Sequence, residues 1–372
     1  MSFKICVYAI CKNELKFIDK WLENMSEADY IVVLDTGSTD GTYERLQQDS
    51  RVTIVKQEEI KPWRFDVARN KSMELIPEDA DILVCTDFDE LFEPNWAQKL
   101  KDNWDSTLYN RAHYLYIWGH NDQGYPQDTF IYDKIHTREF CWKYPVHEVL
   151  WPISDDIDIN FLELDNQIIL HHWQDKNKDR NSYFDLLKLS CEENPEDSHV
   201  HFLYARELLI NKDYHAAIDE YLKVLQMPDI KADNKRLVLL DAHYQIAQCF
   251  YAIGDYWEAL SYCQDFIYLD SSYRDPYFLM AEAYYSLTLY TLAEATAKAG
   301  FEYGAKHNDW VETANSWLGW GFEILGKTQG QLNKIDESIN NLKIALQYEP
   351  NDINLLKQYI YCLEQILKNK ID

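Results

Sequence analysis

The stretch Asp81–Phe92, DILVCTDFDELF, sets carboxylates where an apolar run ends. Ile82, Leu83, Val84 and Cys85 have the make-up of an interior strand of a parallel sheet, and Asp87 and Asp89 follow at its carboxyl end. In an extended segment side chains alternate, so the two carboxylates share one side while Phe88 turns inward. Convergent carboxylates are hard oxygen donors suited to Mg²⁺ or Mn²⁺. Open α/β sheets also bind their ligands at the carboxyl ends of strands. A solvated acidic turn has the same local composition, so the surrounding elements decide.

Those elements alternate. KICVYAI (4–10) reads as a first strand, and Asn13-Glu14 opens an amphipathic helix carrying Leu15, Ile18, Trp21, Leu22 and Met25. YIVVLD (30–35) is a second strand that runs into TGSTDGT (36–42), a turn bracketed by Gly37 and Gly41. RVTIVK (51–56) is a third strand, FDVARNKSMELI (65–76) a helix, and DILVC a fourth strand. Strand and helix recurring every 20–30 residues predict an α/β fold, Rossmann-like, with a doubly wound and mostly parallel central sheet. The turn after the second strand is neither a GxxxxGK loop nor a GxGxxG dinucleotide turn. Asp35 stands at a strand's carboxyl end, placed to accept hydrogen bonds from a base or ribose, or to cap the loop that follows.

KNE (12–14), DTGSTDGT (35–42), ARN (68–70) and TDFDE (86–90), in that order and spacing, resemble the family-two glycosyltransferases of the GT-A fold. The resemblance implies a nucleotide-diphosphate sugar bound in this half of the chain. Matched by motif, the end of the first strand near Ala9, with Asn13 and Asp35, would hold the nucleoside. Arg64, Arg69 or Asn70 would line the nucleotide pocket, and Asp87-x-Asp89 would hold the metal and diphosphate. Asp89 would be the direct ligand, Asp87 the contact to ribose or a metal-bound water. The chemistry agrees: a leaving diphosphate gains negative charge, and a divalent ion offsets it as a Lewis acid.

Residues 104–175 are aromatic and polar, and AHYLYIWGH and DTFIYDKIH look like strands of a mixed sheet. Their rings could wall a sugar or peptide site, or simply form core. YPVHEVL (144–150) sets His147 beside Glu148, and IILHHWQ (168–174) ends a strand in His171-His172. Glycosyltransferases of this kind that carry helical repeats have a His-Glu pair and a later strand-terminal His at comparable places. By that resemblance His171 is a third metal or diphosphate contact, with His172 its fallback. Glu148 is the candidate base for the acceptor's proton, with His147 its fallback. Asp122 and Asp133 remain alternatives for the base. These histidines lack the HxxxH spacing of a zinc helix, and no GxSxG elbow is present.

Near residue 175 the character changes. Residues 1–175 form the expected catalytic domain, 176–195 a charged helical connector, and 196–372 an all-α domain of tetratricopeptide-like repeats with a terminal capping helix. Ala217, Ala259, Ala293 and Ser338 are the small residues expected where paired helices cross. Their steps of 42, 34 and 45 residues depart from a uniform 34-residue period and predict longer loops at 227–237 and 326–335. Gly321–Thr328 satisfies the GxxxxGK[ST] expression, but it follows Trp317–Trp320 inside a helical pattern rather than a buried strand, so it reads as chance.

Thirty-six basic against sixty-three acidic residues give a formal charge of −27, which disfavours nucleic acid and anionic membranes as partners. An anionic nucleotide would reach such a surface through a bridging metal ion. The eight cysteines have no CxxC or zinc spacing and read as free thiols of a reducing compartment. The apolar run at 5–11 is too short for a signal peptide, and no run approaches the roughly 20 residues of a membrane span, so the expected location is cytoplasmic. The expected protein is a metal-dependent inverting glycosyltransferase, with a UDP-hexose as donor and a Cys, Ser or Thr side chain of a peptide or protein held by the repeats as acceptor. Its domain order resembles the peptide S-glycosyltransferases that modify bacteriocins. A surface-glycan or lipid-linked acceptor, a non-catalytic repeat adaptor, and a homodimer contact on the repeats are the alternatives.

Overall fold

The computed structural model describes residues 3–120, 126, 129–174, 182–305, 307 and 319–371. Asp122, Trp317 and the first part of the expected connector lie outside the described residues. The chain divides into two compact units, Met1–Ser190 and Cys191–Asp372.

In the first unit β1 (Ile5–Cys11), β2 (Tyr30–Asp35), β3 (Ile54–Gln57) and β4 (Ile82–Cys85) lie in the order β3-β2-β1-β4, all parallel. Their connections carry α1 (Ile18–Met25), α2 (Thr42–Gln47) and α3 (Phe65–Met73). Both faces of β1 are buried. Ile5, Val7 and Ala9 pack with Trp21, Leu22 and Met25 on one side, while Cys6 and Tyr8 pack with Phe140 and Trp142 on the other. That double burial is why the strands read as unbroken apolar runs. β1 lies between β2 and β4, so successive crossovers diverge there and open a crevice at the strands' carboxyl ends.

Beyond β4 the sheet is mixed. β7 (Thr129–His136) runs antiparallel to β4 and to β6 (Arg111–Ile117); β6 is parallel to β10 (Phe161–Glu163) and β11 (Ile169–His172). β5 (Glu90–Phe92) closes the edge, antiparallel to β11, and α4 (Trp96–Asn103) follows it. β8 (Phe140–Lys143) and β9 (Val149–Pro152) form a separate two-stranded ribbon, and α5 (Tyr183–Glu193) comes after the sheet.

The second unit is helical among its described residues. α6 (Ser198–Ile210) pairs with α7 (Tyr214–Gln226), α8 (Arg236–Ala252) with α9 (Tyr256–Leu269), and α10 (Asp275–Ser286) with α11 (Tyr290–Tyr303). α12 (Trp320–Gln331) pairs with α13 (Ile335–Tyr348), and α14 (Ile353–Ile371) packs last. Ala217, Ala259, Ala293 and Ser338 are all fully buried, as crossing points require. Asp213 and Asp255 cap α7 and α9 by accepting from the N–H groups of Ala216 and Glu258.

The two expected loops fare differently. Two 3₁₀ turns, Pro228–Lys231 and Asp233–Lys235, fill the first. The loop expected at 326–335 is instead helix up to Gln331, because buried Ile324, Leu325 and Thr328 continue the face of α12. Gly321 and Gly326 are packing residues. A Cβ on Gly321 would stand 2.5 Å from the Phe278 ring, and one on Gly326 would stand 2.6 Å from Leu342. The phosphate-loop expression is therefore a helix crossing, and Lys327 is paired with Glu323.

Candidate active site

β4 leaves the core at Thr86, which is fully buried and accepts a hydrogen bond from the Trp21 indole at 3.1 Å. The chain then turns rather than extending: the Glu90 N–H donates to the Asp87 carbonyl at 3.1 Å. Phe88 does point inward, stacking on Trp21 with centroids 4.2 Å apart. The turn, however, breaks the alternation expected of the two carboxylates, and each is aimed by its own partners.

Asp87 meets the Arg69 guanidinium at 3.0 Å and the Lys134 ammonium at 3.4 Å. Glu90 accepts from the Asp87 N–H at 2.9 Å, the Tyr116 hydroxyl at 2.9 Å and Lys134 at 3.1 Å. Arg69 also pairs with Glu148 and lies over the Trp142 ring at 5.2 Å. Burial works against the charge on Arg69 and on Lys134. Asp87, with Glu148 beside the first and Glu90 beside the second, outweighs it and holds both well above their ordinary values. Three carboxylates thus share two buried cations, and Asp87 is the most exposed member of the network, with 31% of its side chain accessible.

Asp89 faces His172. The β5–β11 ladder sets His172 opposite Glu90 and His171 opposite Leu91, which brings His172 Nε2 to 3.4 Å from Asp89 Oδ2. The backbone locks this arrangement, since the Trp173 N–H donates to the Asp89 carbonyl at 2.7 Å. His171, expected first as the metal contact, faces away because neighbouring strand residues take opposite sides. Its Nδ1 lies 3.0 Å from His120 Nε2 and its Nε2 3.5 Å from Glu93. Geometrically the histidine beside the acidic motif is His172, the fallback.

Cis ligands on Mg²⁺ or Mn²⁺, each about 2.1 Å from the ion, stand about 3 Å apart. Asp89 Oδ2 and His172 Nε2 fit that edge after a shift of a few tenths of an ångström. His172 Nδ1 is buried and unpartnered among the described residues, so no hydrogen bond at that nitrogen opposes a small reorientation of the ring. Two protein ligands suit an ion that completes its shell with phosphate oxygens and water.

On the nucleoside side, Asp35 Oδ1 accepts from the N–H groups of Gly37 at 3.0 Å and Ser38 at 2.8 Å, and from the Gln57 amide at 2.9 Å. Burial pushes its pKa up, but those donors outweigh it and leave the carboxyl below its ordinary value. Asn13, at φ 59°, accepts from the Thr39 N–H at 2.8 Å, and its own N–H donates to Ser38 Oγ at 2.8 Å. The loops after β1 and β2 are thereby tied into one rim. Ala9 is buried inside β1, two residues before that strand ends.

Arg64 forms a bidentate pair with Asp66 at 3.0 and 2.8 Å. Asn70 donates to the Trp142 carbonyl at 2.9 Å and accepts its N–H at 2.8 Å, so it serves the ribbon. His147, at φ 51°, sets its ring edge-on to Tyr183, and Asp133 pairs with Arg111 at 2.8 Å. Of the expected residues, then, Arg69, Asp87 and Glu148 meet in one network, Asp89 adjoins it, and Asn13 and Asp35 line the neighbouring rim.

Sequence reasoning missed Lys134 and Glu90. Tyr132, Lys134 and His136 recur at every second position of β7, and a lysine inside such an aromatic alternation signals a buried partner.

Residues 6–152 match the family model described as Glycosyl transferase family 2. That match lies within the first unit, and the helical domain follows it. Comparison with curated proteins gave no match. Among solved structures, the chain is similar to TTC0263, a thermophilic tetratricopeptide protein of Thermus thermophilus, at 18% identity over 49% of this chain and 90% of that one, with a TM-score of 0.35. It is also similar to YrrB, described as a TPR protein with an unusual peptide-binding site, at 14% identity over 48% of this chain and 82% of that one, with a TM-score of 0.37.

Proposed function

We propose that the protein is a metal-dependent, inverting glycosyltransferase that moves a hexose from a nucleotide-diphosphate sugar, a UDP-hexose in the first instance, to a Cys, Ser or Thr side chain of a peptide. The observation that carries this reading is the pairing of Asp89 with His172 at the carboxyl end of β4, beside the crevice where the strand order turns. The family-two match over residues 6–152 supports the reaction class.

In this reading Asp35 and the tied loops of Asn13 and Ser38 seat the nucleoside. Asp87, fixed by Arg69 and Lys134, faces the ribose and diphosphate. Asp89 and His172 would hold Mg²⁺ or Mn²⁺, whose Lewis acidity would offset the charge growing on the leaving diphosphate. The acceptor heteroatom attacks the anomeric carbon from the face opposite the diphosphate, the bond to the phosphate oxygen breaks, and configuration inverts. Glu148 is the base that removes the acceptor's proton, acting once Arg69 turns from it toward the donor. The acceptor peptide belongs to the helical unit, where a recess of about 270 Å³ is lined by Tyr244, Gln248, Trp320, Glu323, Glu349 and Leu355. Rings and polar groups together in a concave site suit an extended peptide. Among the described residues no helix is long and apolar enough to cross a membrane, which favours this acceptor over a lipid-linked sugar.

The test is release of UDP from a panel of UDP-hexoses with Mn²⁺ or Mg²⁺, with mass spectrometry of Cys-, Ser- and Thr-containing peptides in the same tubes. Hexose-sized mass gain that stops on chelation is the expected result. UDP-sugars left intact, or turnover indifferent to chelation, would refute it.

A further inference from the structure

The helical unit holds a second group of metal-ligating side chains unrelated to the sugar-transfer site. Cys191 lies in the last turn of α5, His201 in the first turns of α6, and Glu220 in the middle of α7. One ligand atom from each falls within 4.8 Å of the other two, the single such trio among the described residues. Three separate helices converge to place a thiol, an imidazole and a carboxylate together.

The surroundings are built rather than accidental. His201 Nδ1 meets Glu220 Oε1 at 2.5 Å, and only 12% of the histidine and 8% of the glutamate side chain is accessible. His201 Nε2 is buried with no hydrogen-bond partner among the described residues, a cost that a packed core avoids unless something else can use the ring. The second oxygen of Glu220 takes Lys223 at 2.6 Å, which fixes the carboxylate and offsets one negative charge. Cys191 is partly covered, with its Sγ 3.7 Å from the Val200 carbonyl on the turn before His201.

We propose that Cys191, His201 and Glu220 form a binding site for a borderline-soft divalent cation of the zinc type. A thiolate, an imidazole and a carboxylate match the ligand preferences of Zn²⁺, whereas a hard oxygen-seeking ion would take the site poorly. On binding, the Cys191 S–H gives its proton to solvent and the sulfur bonds the cation. The proton shared by His201 Nδ1 and Glu220 moves to the unpartnered Nε2, so that Nδ1 and the carboxylate each bond the same ion in place of their hydrogen bond, and water completes the tetrahedron. The ion would staple α5, α6 and α7 together at the start of the repeats, with its stabilisation appearing as folding free energy. Glycosyl transfer does not enter this argument, so the two proposals stand or fall separately.

Cobalt(II) is a visible stand-in for zinc. Titrated into the full-length protein, it is expected to give a thiolate-to-cobalt charge-transfer band and intense tetrahedral ligand-field bands, saturating at one ion per chain and bleached by Zn²⁺. Cys191→Ser should abolish the charge-transfer band, and His201→Ala should weaken binding at least tenfold, while Asp89→Ala should retain the full spectrum. Zn²⁺ should raise the unfolding midpoint of the wild type and leave that of Cys191→Ser unmoved. A wild type that stays colourless, or a charge-transfer band that survives in Cys191→Ser, would overturn the site; the first result requires no variant to fold.

Discussion

His172 Nε2 lies 3.4 Å from Asp89 Oδ2 because an antiparallel ladder, not sequence proximity, brings the end of β11 against the start of β5. His172→Ala should therefore lower metal-dependent turnover at least about tenfold, by weakening the hold on the ion. His171→Ala, on the opposite face, should stay within about threefold of wild type. Parallel assays across a Mn²⁺ titration check this, and equal losses in the two variants would contradict it.

Asp89→Ala removes the carboxylate itself. Turnover should fall about 100-fold or more, the scale on which a lost charge-stabilising group acts in a transition state. Far-ultraviolet circular dichroism should be unchanged, since Asp89 packs no apolar core.

Arg69 joins Asp87 to Glu148 inside the fold, and only 5% of its side chain is accessible. Arg69→Met should cost about 3–5 kcal/mol, chiefly by leaving the buried Glu148 carboxylate unpaired. Arg69→Lys should recover only part of that, because a point charge cannot bridge two partners as a planar fork does. Glu148→Gln keeps an oxygen toward Arg69 and should be milder in stability. It should, however, lower peptide transfer about 100-fold or more, and transfer at the wild-type rate would exclude it as the base. Urea denaturation and transfer kinetics measure the two effects.

Burial lowers the His136 pKa to about 3, from an ordinary value of 6.5. Its ring is neutral, with one nitrogen 2.6 Å from the Tyr8 hydroxyl and the other 2.6 Å from the Thr137 carbonyl. Because the folded value is depressed, the unfolded chain binds the extra proton first as pH falls. Stability is full above 6.5 and declines toward 3, by about 1.4 kcal/mol per pH unit. His199, lowered by burial to about 4, acts with the same sign in the helical unit. Asp35, also lowered, keeps its contribution until pH falls below 3.8 and so does not shape this window. Unfolding midpoints between pH 7 and 4 should drop steadily, with a shallower slope in His136→Gln.

Gly326→Val should destabilise the α12–α13 pair by about 1–3 kcal/mol, since its first side-chain carbon would overlap Leu342. Lys327→Ala should leave nucleotide binding unchanged. A loss of UDP affinity in that variant would restore the phosphate-loop reading.

The parallel half of the sheet was legible because doubly buried strands leave unbroken apolar runs, and the acidic motif announced itself at the end of one. The repeats were legible from the small residues at their crossings. What the sequence hid were pairings set by tertiary contacts. β5 has three residues, too short to show a period, yet it decides which histidine meets Asp89. Lys134 is turned by β7 onto Asp87 and Glu90, partners that come from a distant part of the chain. The loop expected at 326–335 failed for a related reason: glycines that punctuate a chain elsewhere here let two helices touch.

The Asn70 amide has a consequence for solubility. By answering both the N–H and the carbonyl of Trp142, it occupies the free margin of the small β8–β9 ribbon, as a single residue of a further strand would. A ribbon margin left open can recruit a strand from another molecule, and here a side chain has already taken that place.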